Sequence, residues 1–213
     1  MARYEWNSKY IVKTPNTELA VTLDNMKSFL KIDTTADDAL ITSLIKTTTS
    51  LAESYMGIEI LKKTFTMYMD FFPFDKRYGN RVEENFNQYT IQVKRSPLDS
   101  ITHIKYFSAT VLTTLDNTLY DFSQDTQYSR IYLIDDDSIW PTVDDRKQAV
   151  EIEFIAGIAE DDPEVPDDIK TAIKRIVSYL YFNRGDCTDS KSCNVCVLAG
   201  AAPLLDFHAI LEI

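Results

Sequence analysis

The residues best equipped for chemistry gather in two places. Toward the C-terminal end, Cys193-Asn194-Val195-Cys196 has the spacing of a zinc knuckle, and Cys187 and His208 lie close enough in sequence to complete a Cys₃His set. Structural zinc sites of this kind are normally built from two tight ligand pairs. Only one pair is present, so reduced, unliganded thiols are the simpler reading. An odd number of cysteines confined to one short tail also does not read as a secreted disulfide framework. The second place is acidic: Asp135-Asp136-Asp137, Asp144-Asp145 and Asp161-Asp162 offer oxygen ligands for Mg²⁺ or Ca²⁺. None follows the alternating calcium-loop pattern, and adjacent carboxylates on a turn point apart, so solvated turns account for them. The two histidines, His103 and His208, have no nucleophile elbow beside them. His103 alternates with Ile101 and Lys105 in a strand pattern, which predicts a hydrogen-bonded or exposed strand residue and not a base. No phosphate-cradling glycine loop, dinucleotide fingerprint or His-Glu-x-x-His occurs, and the chain has only 5 glycines. No catalytic residue, cofactor or metal site is therefore assigned.

Charge narrows the function classes further. The 213 residues carry 22 Lys+Arg against 33 Asp+Glu, a formal net charge of −11. That balance opposes a protein that grips nucleic-acid backbone over a broad face, because phosphate binding rests on Lys and Arg displacing counterions. It does not oppose one that lets DNA pass. The acids are concentrated: sixteen fall between Asp116 and Asp168, against Arg130, Arg146 and Lys147 alone. Basic residues cluster elsewhere, at Lys76, Arg77 and Arg81 with Lys62, Lys63, Lys94 and Arg95 around them. An opposite-charge contact between copies, Lys76, Arg77 and Arg81 of one meeting Asp135, Asp136 and Asp137 of the next, is one use for such flanks. No run approaches the roughly 18 apolar residues of a membrane span. The opening residues carry no apolar leader, which predicts a cytoplasmically made protein with no membrane partner.

The elements that must position these residues are legible from periodicity. Residues 1–21 read as an extended N-terminal arm with aromatic anchors Tyr4, Trp6 and Tyr10. Thr22 is an N-cap for a short helix through Leu23, Met26, Phe29 and Leu30. Thr35 and Asp38 resemble a capping box, and an amphipathic helix over 36–56 ends at Gly57. The period then changes to two: Phe65, Met67, Met69 and Phe71 alternate with polar neighbours as a strand. Residues 73–87 are too polar for a core and read as a projecting loop. Shorter strands follow at 89–93, 101–107, 119–122, 130–134 and 150–155. A helix then opens at Val165-Pro166-Asp167-Asp168 and stops near Gly185. The predicted class is α+β: long amphipathic helices packed with an antiparallel sheet or small sandwich. The predicted organisation is a core over 22–185, flanked by the arm and a C-terminal tail over 186–213.

This ordered set of segments resembles the head–tail connector (adaptor) proteins of tailed bacteriophages and gene transfer agents. The resemblance rests on Asp37-Asp38-Ala39-Leu40-Ile41, Ala52 to Gly57, Leu61-Lys62-Lys63-Thr64-Phe65 and Ser96-Pro97-Leu98. It continues through Ile101 to Tyr106, Ile139-Trp140-Pro141, Val150 to Gly157 and Val165 to Ile173. It covers roughly residues 22–185, and its specificity lies in order and spacing, since each motif alone is a helix, strand or turn signal. The resemblance implies a non-catalytic virion protein at the head–tail interface, present in the host cytoplasm during assembly. It implies a homododecameric ring that docks on the portal protein, meets the tail or stopper protein, and lets DNA pass without specific binding. Terminal segments of such adaptors commonly dock on the portal, which makes Leu204, Leu205, Phe207, Ile210, Leu211 and Ile213 the candidate contact residues. Two other classes fit the composition: an acidic DNA-mimicking inhibitor, and a divalent-metal-dependent hydrolase.

Overall fold

In the computed structural model, residues 8–73, 90–124, 129–135, 138–184 and 194–209 are described. The chain divides into two compact units, one formed by residues 1–15 and 63–156, the other by 16–62 and 157–213.

Among its described residues the first unit is all β. Its larger sheet runs in the order β1 (Lys9–Thr14), β2 (Lys63–Met69), β8 (Val150–Ala156), β4 (Leu98–Ser108) and β5 (Val111–Thr114). Every neighbouring pair is antiparallel. A second sheet of three strands runs β3 (Ile91–Val93), β7 (Ser129–Leu133), β6 (Tyr120–Ser123). The two-residue alternation decides which side chains are buried. Phe65 and Met67 of β2 and Val150, Ile152 and Phe154 of β8 are essentially inaccessible, and they join Val93, Leu98, Ile104 and Ile131 in one core. Aromatic stacking fills it: Phe65 lies 5.7 Å from Phe154, and Phe72 lies 4.9 Å from Trp140. Each such side chain contributes roughly 1.5–3 kcal/mol by leaving water.

Residues 9–14, expected only as extended arm, are an edge strand whose Ile11 pairs with Thr66. The β4–β5 hairpin was not foreseen. Its two-residue turn is Ala109-Thr110, with φ of 48° and 65°. Left-handed backbone is the geometry a tight hairpin needs, but here it is taken by two residues with side chains that disfavour it. The turn is braced: the Thr110 N–H donates to Asp144 Oδ2 at 2.7 Å, and the Arg146 guanidinium lies 3.8 Å over the Phe107 ring.

The second unit is helical. Thr22 Oγ1 accepts from the Asn25 N–H at 3.3 Å and starts α1 (Leu23–Leu30), as its sequence predicts. Helix α2 (Asp38–Met56) ends at Gly57 with φ 73°. Its expected capping box does not form: Asp37 takes the N-cap position and makes no side-chain cap bond, and Thr35 contributes only a carbonyl to the Asp38 N–H. A 3-10 turn (Asp162–Glu164) precedes α3 (Asp167–Phe182). Ile41, Ile45, Ala52 and Met56 of α2 meet Ile169, Ile173, Ile176 and Val177 of α3 in a second core. In the Thr47-Thr48-Thr49 run of α2, Thr48 and Thr49 are buried; Thr49 Oγ1 donates to the Ile45 carbonyl at 2.8 Å, while Thr48 Oγ1 has no partner among the described residues, so the packing of the helix must offset the cost.

Where residues 61–62 and 157–159 run together, Lys62 N–H donates to Ala159 O at 2.8 Å. A Cβ at Gly157 would sit 2.6 Å from Lys62 Cα, and Gly157 has φ 141°, so only glycine fits there. The described part of the tail holds two single-turn helices, α4 (Val195–Leu198) and α5 (Ala202–Leu205); Cys196, Ala202 and Leu205 from them, with Ala201 between them, enter the helical core. The class is α+β with antiparallel sheets, as the sequence predicts. Among the described residues no helix is long and apolar enough to cross a membrane.

Candidate assembly surfaces

Ionisable side chains converge most closely on one face of the larger sheet. Cross-strand register places Thr66 opposite Ile11 and Glu153, with His103 opposite Glu153 on the other side. Along that face Lys13 pairs with Glu153, and His103 Nε2 lies 3.1 Å from Glu151 Oε1. The Glu153 hydrogen bond holds the Lys13 ammonium above its ordinary range. Burial raises the Tyr68 phenol, and Glu151 raises it further. Of the two strand settings its sequence context allows, hydrogen-bonded or exposed, His103 takes the hydrogen-bonded one. Each carboxylate is matched by a neighbouring partner, so the row reads as a cross-strand ladder that sets register.

A second polar group ties the tail to the helical unit. His208 Nε2 lies 2.6 Å from Asp168 Oδ2, Tyr55 Oη donates to Asp206 Oδ1 at 2.8 Å, and Arg175 donates to the Gly200 carbonyl at 2.9 Å. Burial alone would raise Asp168, but the His208 hydrogen bond and the Ile169 N–H outweigh it and hold the carboxyl below its usual range. The Asp206 hydrogen bond raises the Tyr55 phenol.

Among the candidate contact residues, Leu205 is fully buried, Leu204 is half-buried and Phe207 is 86% exposed. Ile210, Leu211 and Ile213 lie outside the described residues, as do Lys76, Arg77, Arg81, Asp136 and Asp137. Asp135 is exposed and accepts from Ser138 Oγ at 3.0 Å across a turn. Cys187 and Cys193 lie outside the described residues; Cys196 is a buried thiol whose pKa burial raises. Among the described residues no three His, Cys, Asp or Glu side chains gather as a metal set. A cleft of about 450 Å³ in the helical unit is lined by Thr17, Thr22, Thr42, Lys46 and Asp162. Asp162 is committed to structure: its Oδ2 accepts from Asn25 at 3.1 Å, and Lys170 lies 3.7 Å from Oδ1.

The acidic stretch from Asp116 to Asp168 is not one surface. Its members divide between the two units, and Glu153 and Asp162 are buried in ion pairs. Asp116, Asp121, Asp135 and Asp145 remain exposed. Sequence reasoning missed β1 and β5, the two edges that the larger sheet leaves open among the described residues. The signal for β5 was the β-prone Val111-Leu112-Thr113-Thr114, masked by a turn without glycine or asparagine.

The sequence matches the profile of the head completion protein (HCP) family over residues 19–194. The chain belongs to that family. No curated protein matches it. Solved structures with a similar fold include a chain in the neck of an empty gene transfer agent (GTA) particle computed with C6 symmetry. That chain is 16% identical with a TM-score of 0.73, covering 97% of this chain and 96% of its own. A chain of a native GTA virion is 17% identical with a TM-score of 0.72, covering 96% of each. A chain in the neck of a native GTA particle computed with C12 symmetry is 17% identical with a TM-score of 0.66, covering 97% of this chain and 96% of its own.

Proposed function

We propose that this head completion protein is a structural head–tail connector of a phage-like particle. Twelve copies form a closed ring that docks on the portal protein, meets the tail or stopper protein and encloses a channel for DNA. The observation that carries the reading is the family match, which spans residues from both units. The C12 symmetry of a neck that contains a chain of the same fold supports the copy number. The protein works by shape and symmetry, with no chemical step. Exposed acids such as Asp116 and Asp121 suit a wall along which DNA slides without adhering, since like charge keeps phosphates at a distance. Phe207, 86% exposed next to a tail anchored through Leu205, is the residue proposed to meet the portal. Negative-stain imaging of the chain mixed with portal rings tests this: a symmetric layer added to the portal supports the reading, and bare portals beside free monomers contradict it.

A further inference from the structure

The five-stranded sheet has two open edges among the described residues, β1 and β5. Successive antiparallel pairings fix their relative direction. Strand β2 runs opposite to β1, β8 opposite to β2, β4 opposite to β8, and β5 opposite to β4. Strands β1 and β5 therefore run the same way. One step of a closed ring keeps the component of strand direction along the axis and turns the rest only by the step angle, so if the sheet continues from copy to copy, β5 of one copy meets β1 of the next in near-parallel alignment. Both edges carry exposed apolar side chains, Ile11 and Val12 on β1 and Val111 and Leu112 on β5. An open edge with apolar flanks is a template for another strand.

Charge disfavours the two-fold alternative more than it selects this one. Parallel alignment brings Lys9, at the start of β1, to the start of β5, where Asp144 binds the Thr110 N–H, Asp145 is exposed, and Arg146 and Lys147 offset part of their charge. The alternative two-fold pairing of β1 with β1 is antiparallel and sets Lys9 of each copy toward Lys13 of the other, a like-charge clash. The braced Ala109-Thr110 turn presents β5 as a fixed edge and not a loose flap.

Resting on the ring reading above, we propose that neighbouring copies join by parallel pairing of β5 with β1, so that one sheet runs from copy to copy around the ring. Four residues of β5 against six of β1 make a short seam, repeated at every junction of a closed heterologous ring.

Cysteine cross-linking tests it. Ile11→Cys and Leu112→Cys are placed together in the full chain with Cys187, Cys193 and Cys196 changed to alanine, and a short bis-maleimide is added to assembled material imaged in parallel. The expected result is a ladder of covalent multimers from the double variant, with no dimer from either single variant. Dimers from Ile11→Cys alone would show two-fold β1 pairing and overturn the proposal. Rings without the ladder would overturn this seam and leave the ring reading intact; absence of both rings and ladder would overturn both. Lys9→Glu, at an exposed position, guards against a misfolded double variant. It should lower the cross-linking yield severalfold with an unchanged circular dichroism spectrum, and an unchanged yield would contradict the parallel register.

Discussion

His208 Nε2 and Asp168 Oδ2 stand 2.6 Å apart, joining the last described turn of the tail to the first turn of α3. Residues 40 apart in sequence thus fix where the tail leaves the helical unit, and Phe207 is displayed beside that anchor. His208→Ala should loosen the tail without unfolding the unit. Both side chains keep contact with water, at 28% and 37% exposure, so the cost is about 0.5–1 kcal/mol. Limited proteolysis should cut residues 194–209 faster than in the parent chain, with little change in melting temperature.

The same pair gives a pH dependence with a definite sign. Asp168 has a folded-state pKa below its ordinary 3.8. A lowered carboxyl contributes stability that is present above the unfolded value and lost as pH falls through the folded one. Tail docking should therefore weaken as pH drops below 3.8. Pepsin digestion between pH 4 and 2 should show progressive release of the tail. Asp168→Asn should remove that progression.

Leu205 carries the apolar share of the docking. It is fully buried among α2, α3 and the tail turns. Leu205→Ala should cost about 2–5 kcal/mol, the range for deleting a leucine side chain from a packed core. Urea unfolding followed by circular dichroism measures it, and the loss should exceed that of His208→Ala.

Gly157→Ala should be destabilising despite its small size. The new methyl would meet backbone atoms of Lys62 and Leu61 at 2.6–2.7 Å, at a φ that side chains rarely adopt. Strain and forced displacement together predict roughly 2–5 kcal/mol. The same unfolding assay reads it, and a neutral result would contradict the close approach.

Phe207→Ser should separate assembly from folding. At 86% exposure its removal should leave stability within about 0.5 kcal/mol. An aromatic anchor lost from an interface typically weakens binding by tenfold or more. Cosedimentation with portal rings should show that loss, and unchanged binding would move the portal contact elsewhere.

The regular elements were readable because their periods were unambiguous. The stripe from Leu40 to Tyr55 predicted 36–56, and α2 spans Asp38–Met56; Val150–Ile155 predicted all but the last residue of β8. The misses have physical causes. Strand β1 pairs with β2 some fifty residues away, so nothing local marks Lys9–Thr14 as sheet. The β4–β5 turn uses Ala109 and Thr110 where glycine or asparagine is the usual signal. Helices α4 and α5 are four residues each, too short for a period to emerge. The surface chemistry was legible only as composition: sequence located the acids between Asp116 and Asp168, but not that Glu153 and Asp162 turn inward to Lys13 and Lys170.

The central claim is that copies of this chain form a closed ring where the head meets the tail. Cryo-electron microscopy of the particle that carries it, reconstructed at the head–tail junction without imposed symmetry, tests this most directly. The proposed ring requires twelve copies of the two-unit fold in one layer on the portal, around an open axial channel. A junction whose density has no place for this fold, or the chain found only as free monomer, would contradict it.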